Sequence, residues 1–398
     1  MNSRFFSKRS NRSLSLQLLF SHGTLSRAEI ASRLNITPAA VSLIINELIQ
    51  TGLIVQTDSV QTTAPKAGRK KEPLSLNFNW KYVLAIDIHA YYVNIAVTNL
   101  RGDLIAESAS FSPDNSSPDK LVSTISAECN ALLQNAAIST EQLLGVGITI
   151  IGPVNQVDGI ALHPFRLFDF PVDLRKRFEA EFSVPVAVES NVCACLISEL
   201  LYTDIAEENQ NTLILKWGPG IGSAMAIDGH IYKGRNFQSA EVGHNRIFAS
   251  HRRQCNCGKE GCLEPYISTD AIREHIEGLI SAEPDGILAK TARIHGKPTR
   301  NNLDVFLDTQ DPSLAAFLSN CARLLATVTN NALLTLVPDK LILMGDLFNR
   351  NDIMELFKSN LYQLSNDIPE DLCMRNSTIS GSKYIGATAT AIDQILLR

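Results

Sequence analysis

The spacing of apolar residues changes near residue 80. Before that point they recur at three- and four-residue steps, the period of helices with one buried face. One such segment covers 13–22. Ser26-Arg27-Ala28-Glu29 then has the S-x-x-E form of a capping box, whose hydroxyl and carboxylate satisfy free amides at a helix start. Ile30, Ala31 and Leu34 follow at helical spacing, and Asn35-Ile36 interrupts them. Thr37-Pro38 restarts the pattern with a capping hydroxyl and a proline suited to the first helical position. Val41, Ile44, Ile45 and Leu48 form the stripe of a third helix, closed by Gly52. Three short helices with a tight turn between the last two predict a helix-turn-helix. After Leu53-Ile54-Val55, a polar stretch ends in Ala67-Gly68-Arg69-Lys70-Lys71 and returns through Pro73-Leu74-Ser75-Leu76. Strand, basic tip and return strand describe a β-wing.

From Tyr82 the pattern is that of buried strands, at 83–88, 93–97 and 145–150, with a turn at Asn99-Leu100-Arg101-Gly102 and a helix over 118–137. The meander recurs over 213–232, followed by a mostly helical region and a strand at 340–345. An α/β body with two similar halves is expected, and a duplicated actin-like (ribonuclease-H-like) fold fits it. Residues 1–80 form the expected winged helix-turn-helix domain and residues 81–398 the two-lobed body.

Composition agrees with a globular protein of more than one domain: 398 residues, 45% hydrophobic and 19% charged. No apolar run approaches a membrane span, and the first residues lack the pattern of a signal peptide, so a cytoplasmic protein is expected. The net charge of −5 hides an asymmetry. Residues 1–80 hold ten Lys/Arg against four Asp/Glu, and the rest hold 26 against 37. A basic head on an acidic body suggests an anionic partner for the head, here double-stranded DNA. Thr37, Ala39, Ala40, Ser42 and Asn46 are the candidate DNA-facing positions of the third helix, with Asn46 able to read a base edge. Lys66, Arg69, Lys70 and Lys71 of the wing suit phosphate or the minor groove. A protein-binding helical bundle is the bland alternative.

Three of the eight cysteines sit within eight residues, and with no export signal a disulfide framework is not expected. His244, Cys255, Cys257 and Cys262 have the spacing H-x10-C-x-C-x4-C. One imidazole and three thiolates make a closed tetrahedral set for a structural zinc ion. Buried free thiols beside an unrelated histidine are the alternative.

The helix-turn-helix with its GRKKEPL wing, Gly152-Pro153-Val154, the E-x-G-H of Glu241 to His244, and CNCGKEGCLE together resemble the ROK family of repressors and sugar kinases, over about residues 10–396. The DNA-binding head points to the repressor branch. The resemblance implies that Glu241, His244 and Glu264 hold sugar hydroxyls, with His244 binding zinc through its other ring nitrogen. Gly152, Ser190 and Asn191 complete the implied ligand set, between the two lobes. Family kinases carry E-N-D, whose aspartate is the base for the attacking hydroxyl. Here the stretch reads Glu189-Ser190-Asn191, and an amide cannot take a proton near neutral pH. Their D-x-G-G-T reads Asp87-Ile88-His89-Ala90-Tyr91, and a later glycine pair reads Gly345-Asp346. Only Gly218-Pro219-Gly220-Ile221-Gly222 keeps a phosphate-type loop. The expected protein is therefore a non-enzymatic transcriptional regulator, most simply a repressor of sugar-uptake or catabolic genes. It would respond to a sugar or sugar phosphate and act as a homodimer or dimer of dimers. A bifunctional ATP-dependent sugar kinase and a repressor controlled by a protein partner are the rivals.

Overall fold

The computed structural model describes residues 10–57, 73–203, 210–247, 252–364, 372–377, 379 and 383–398. The chain divides into two compact units, Met1–Glu208 with Lys233–Phe237 and Gly381–Arg398, and Asn209–Tyr232 with Gln238–Ser380.

The first unit begins with α1 (Asn11–His22), α2 (Arg27–Leu34) and α3 (Pro38–Gln50). The capping box forms as expected: the Ser26 amide donates to Glu29 Oε2 at 2.8 Å, and the Glu29 amide to Ser26 Oγ at 3.3 Å. Thr37 Oγ1 accepts the Ala40 amide at 3.3 Å, starting α3 behind Pro38. Leu16, Leu19, Ile30, Val41, Ile45 and Leu48 close the head's core. β1 (Ile54–Gln56) and β2 (Leu74–Leu76) pair antiparallel, giving the wing its two strands. Lys66, Arg69, Lys70 and Lys71 lie outside the described residues.

The body follows with β3 (Tyr82–Ile88), β4 (Val93–Asn99), β5 (Leu104–Glu107), α4 (Pro118–Asn135) and β6 (Leu143–Ile150). Then come a small sheet of β7 (Val154–Asn155), β8 (Ile160–Ala161) and β9 (Val172–Asp173), and α5 (Leu174–Phe182), β10 (Val186–Ser190) and α6 (Asn191–Tyr202). The main sheet runs β10-β6-β3-β4-β5, with β3, β6 and β10 parallel and the hairpins antiparallel. All seven positions of β4 are buried. Its apolar positions Val93, Ile95, Ala96 and Val97 made it visible in the sequence, although Asn94, Thr98 and Asn99 are buried with them.

The second unit repeats the plan. It contains β11 (Thr212–Trp217), β12 (Ile221–Ile227), β13 (His230–Tyr232), α7 (Glu264–Ile267), α8 (Thr269–Ala282), α9 (Ile287–His295), α10 (Leu303–Leu307), α11 (Pro312–Leu336), β14 (Lys340–Met344), α12 (Asn351–Leu364) and β15 (Cys373–Asn376). Its sheet runs β13-β12-β11-β14-β15, so in both sheets the first strand is central, flanked by its meander on one side and two parallel strands on the other. This repeated topology is the duplication that the sequence pattern suggested. Trp217, Phe306, Phe348 and Phe357 fill the second core, and the Trp217 indole N–H donates to the Ile267 carbonyl at 2.8 Å. The chain returns to the first unit with α13 (Ile385–Ala391), which packs on α6 and β6. Among the described residues no helix is long and apolar enough to cross a membrane.

Candidate metal centre, ligand residues and nucleic-acid interface

His244, Cys255, Cys257 and Cys262 converge, with one ligand atom from each and all four within 4.8 Å of one another. Cys257 Sγ lies 3.7 Å from Cys262 Sγ, and Cys255 Sγ lies 3.5 Å from His244 Nδ1. A tetrahedral ion with Zn–S near 2.3 Å and Zn–N near 2.0–2.1 Å requires edges of about 3.8 and 3.6 Å. The donor set therefore fits a four-coordinate metal. The loop is shaped by its own backbone: the Cys255 amide donates to the Lys259 carbonyl at 2.8 Å and the Gly261 amide to the Arg253 carbonyl at 3.0 Å, with Gly258 and Gly261 both at positive φ. Burial holds the Cys255 and Cys262 thiols above their ordinary range, the state a bound cation would reverse.

His244 turns its other nitrogen to Glu241, with Nε2 3.9 Å from Oε2. Ser223 of β12 organises this segment, since its hydroxyl bonds the Ala240 carbonyl and accepts the Val242 amide at 3.0 Å. Gly243 is forced by proximity: a Cβ there would lie 2.2 Å from the Ile221 carbonyl oxygen. Burial, with the nearby Glu264 carboxylate, pushes the Glu241 carboxyl up to about 7, against a smaller opposing pull from Lys259. Burial and then the Lys259 charge push His244 down to about 4, so the ring is neutral, as a metal ligand must be. Glu264 starts α7, and its Oε2 accepts the Ile221 amide at 2.9 Å. The carboxylate thus braces the Gly218–Gly222 loop.

The remaining expected ligand residues belong to the first unit. Ile88, Ile150 and Ser190 are in register across β3, β6 and β10, so these parallel strands end together. Beyond that edge lie His89, Gly152 and Asn191, the last opening α6 behind Ser190. Ends of parallel strands are where open α/β sheets take ligands. Glu189 is 1% exposed, yet it is paired with Lys233 Nζ at 2.6 Å and accepts the Ser190 amide at 2.7 Å. Burial alone would depress Lys233; the Cys193 thiol and the Glu189 carboxylate overcome it and hold the amine above its usual value. Nothing in the local sequence ties Lys233 to Glu189, and this pair was missed.

The β3–β4 turn is filled by aromatic rings. His89 is buried and stacks on Tyr92 at 4.7 Å and 9°, Tyr91 stands beside it at 6.0 Å, and Arg166 lies 5.4 Å over the Tyr91 ring. Asp87 accepts the Thr149 hydroxyl at 2.8 Å. In the second unit, the Asp346 carboxylate lies 3.5 Å from where a Cβ on Gly218 would stand.

On the head, Thr37, Ala39 and Asn46 are exposed while Ala40 and Ser42 are half-buried, and Leu43 is 75% exposed. Ser42 Oγ is engaged with the Pro38 carbonyl at 2.8 Å. Asn46 Oδ1 accepts from Arg27 at 3.1 Å, which brings a cation from the start of α2 to the exposed side of α3. Arg27 was missed because it was read only as part of the capping box.

The ROK family model matches residues 83–394. The chain belongs to the ROK family. A winged helix-turn-helix DNA-binding model matches residues 16–55. Among ROK relatives, the xylose repressor of Bacillus subtilis is 26% identical over 274 residues, covering 68% of this chain and 69% of that one. The glucokinase of Halalkalibacterium halodurans is 25% identical over 226 residues, covering 54% and 65%. A crystallised ROK family transcriptional regulator, a homologue of the Escherichia coli Mlc protein, superposes over 96% of both chains with a TM-score of 0.75 at 22% identity. The fold, winged head included, is thus that of a ROK transcriptional regulator.

Proposed function

We propose that this chain is a DNA-binding transcriptional regulator that represses sugar-uptake or catabolic genes and is released by a sugar or sugar phosphate. One observation carries the reading. A winged helix-turn-helix whose α3 exposes Ala39, Leu43 and Asn46 precedes a ROK body whose phosphate-handling positions are altered. Residues 1–80 serve as the DNA-binding domain and 81–398 as the sensing body. Asn46 reads a base edge, Thr37, Ala39, Ala40 and Ser42 line the approach, and Lys66, Arg69, Lys70 and Lys71 meet the backbone. Two-fold pairing of heads in a homodimer suits a pseudo-palindromic operator.

In the body, Glu241, His244 and Glu264, with Gly152, Ser190 and Asn191, bind sugar hydroxyls. Zinc is the metal best suited to the His/Cys₃ set, where it locks the His244 ring for its hydroxyl contact. The zinc is structural. Catalysis is not supported. Asn191 stands where family kinases place a base, rings fill the β3–β4 turn, and Asp346 brings negative charge beside the Gly218 loop. Phosphoryl transfer depends on positioned phosphate and compensated charge.

The test is binding to duplex DNA selected from a random pool by the protein itself. Asn46→Ala should weaken the selected duplex about 5- to 100-fold and leave random duplex unchanged. Replacing Arg69, Lys70 and Lys71 together should weaken both and flatten the salt dependence, by roughly 0.9 in slope per lost phosphate contact. A head that selects no sequence, or a triple variant with the parent slope, would reject this assignment.

A further inference from the structure

One helix connects the ligand edge to the DNA-binding head. Ser190 and Asn191 are at the amino end of α6, and Tyr202 ends it. The Tyr202 ring meets Phe20 of α1 edge-on, with centroids 6.1 Å apart at 79°. Phe20 in turn meets Phe78 edge-on at 6.0 Å and 64°. Phe78 belongs to the segment leaving the wing, and the Arg101 guanidinium lies 4.3 Å over its ring. The Tyr202 hydroxyl donates to the Leu100 carbonyl at 3.0 Å, and the Leu100 amide to the Phe78 carbonyl at 2.9 Å. One tyrosine therefore grips the head through its ring and the β4–β5 turn through its hydroxyl.

The same segment is tied to the far side of the head. The Trp80 indole N–H donates to the Thr51 carbonyl at 2.7 Å, just past α3, and the Asn77 amide donates to the Leu53 carbonyl at 2.8 Å. The head is docked on α6 and not merely tethered by a linker. The helix can transmit a displacement because it is enclosed. Ala194, Leu196, Ile197, Leu200 and Leu201 are buried, α13 and α1 pack on it, and Ser198 Oγ reaches the Ile385 carbonyl at 3.2 Å. A close-packed helix of 12 residues, about 18 Å long, shifts as a unit and does not bend residue by residue.

We infer that Tyr202 is a positioning residue of the regulator: through α6 it sets the pose of the DNA-binding head according to whether ligand occupies the Ser190–Asn191 end. The inference rests on the function proposed above for those two residues. A ligand moves such an element only by differential affinity for its two positions, so the edge-on Tyr202–Phe20–Phe78 stack must differ between DNA-competent and released states.

The test measures affinity for the selected duplex with and without millimolar D-xylose, D-glucose, N-acetylglucosamine and their phosphates, for the full-length parent, Tyr202→Phe and Tyr202→Ala. Melting temperature and direct titration of the active sugar confirm that each variant folds and binds. The expected result is a ratio of affinities without and with sugar that falls towards one in Tyr202→Ala while sugar affinity stays within a few-fold of the parent. Tyr202→Phe keeps the ring and retains most of the ratio. A folded, sugar-binding Tyr202→Ala with the parent ratio overturns the inference.

If no probe shifts the parent, the sugar-release reading fails, and α6 is judged by a cycle of Asn191→Ala against Tyr202→Ala on duplex affinity. Distant, independent sites combine multiplicatively to within about twofold. A deviation beyond about threefold supports coupling along α6, and multiplicative behaviour overturns it.

Discussion

Two five-stranded sheets in this chain run in the same order, and their first hairpin turns have opposite surroundings. In the first unit, the β3–β4 turn is packed with His89, Tyr91 and Tyr92 under the Arg166 guanidinium. In the second, the β11–β12 turn keeps Gly218 and Gly220 but faces carboxylates: Glu264 accepts the Ile221 amide, and Asp346 stands beside Gly218. One turn is filled by stacked rings, and the other keeps its glycines but stands among carboxylates. A duplicated fold can thus retain its topology while the corresponding turns of its two halves carry different chemistry. Around the second turn, Glu264 also stands two residues beyond Cys262 of the four-donor set, so that side is expected to matter more to ligand and stability.

Cys257→Ser gives the largest expected effect. It removes a thiolate from the four-donor set, and metal content should fall from one zinc per chain to well below that, with a melting temperature lower by several degrees. Acidification of the parent should release metal as the thiolates protonate. Elemental analysis and calorimetry read both, and a metal-free parent of full stability would erase the asymmetry between the two sides.

Glu264→Ala comes next. A lost charged hydrogen bond costs about 1.5–3 kcal/mol, or roughly 10- to 150-fold in sugar affinity. Duplex affinity without sugar should hold, because Glu264 belongs to the second unit and the head to the first. Parent sugar affinity in calorimetric titration would remove Glu264 from the ligand set.

His89→Gly restores one glycine to the first turn. It discards a buried, stacked ring and should cost about 1–2 kcal/mol in urea unfolding. It should not create nucleotide binding, since Asp346 and Glu264 still face the other turn; millimolar-or-tighter ATP affinity in this variant would show that the rings alone excluded phosphate. The smallest expected effect is Asn191→Asp, which supplies a carboxylate but no held nucleotide, so sugar-dependent ATP turnover should stay at background in a coupled assay.

The strands were legible because β3, β6, β11 and β14 are mostly apolar, buried runs, and the head because Ser26 and Thr37 cap their helices by local rules. The metal set was legible because its four donors lie within nineteen residues. What stayed hidden depends on pairing across long stretches of chain. Lys233 meets Glu189, and Phe20 meets Tyr202, with no periodicity to announce either contact. Phe20 looked like one more apolar position on α1, and only the docked head gives it a second partner. Arg27 next to Asn46 was hidden for the same reason, since the turn between α2 and α3 brings them together.

On the proposed function, a sugar-kinase fold without phosphoryl transfer serves as the sensing body of a DNA-binding regulator. The most direct measurement is fluorescence anisotropy of the selected duplex with full-length protein, titrated with sugars and sugar phosphates in the presence and absence of ATP and magnesium. The expected result is sequence-selective binding that at least one sugar or sugar phosphate weakens by about 5- to 150-fold, the range of a typical coupling between sites, with no change on adding ATP. Duplex affinity indifferent to every sugar, together with ATP consumption that depends on sugar, would contradict it.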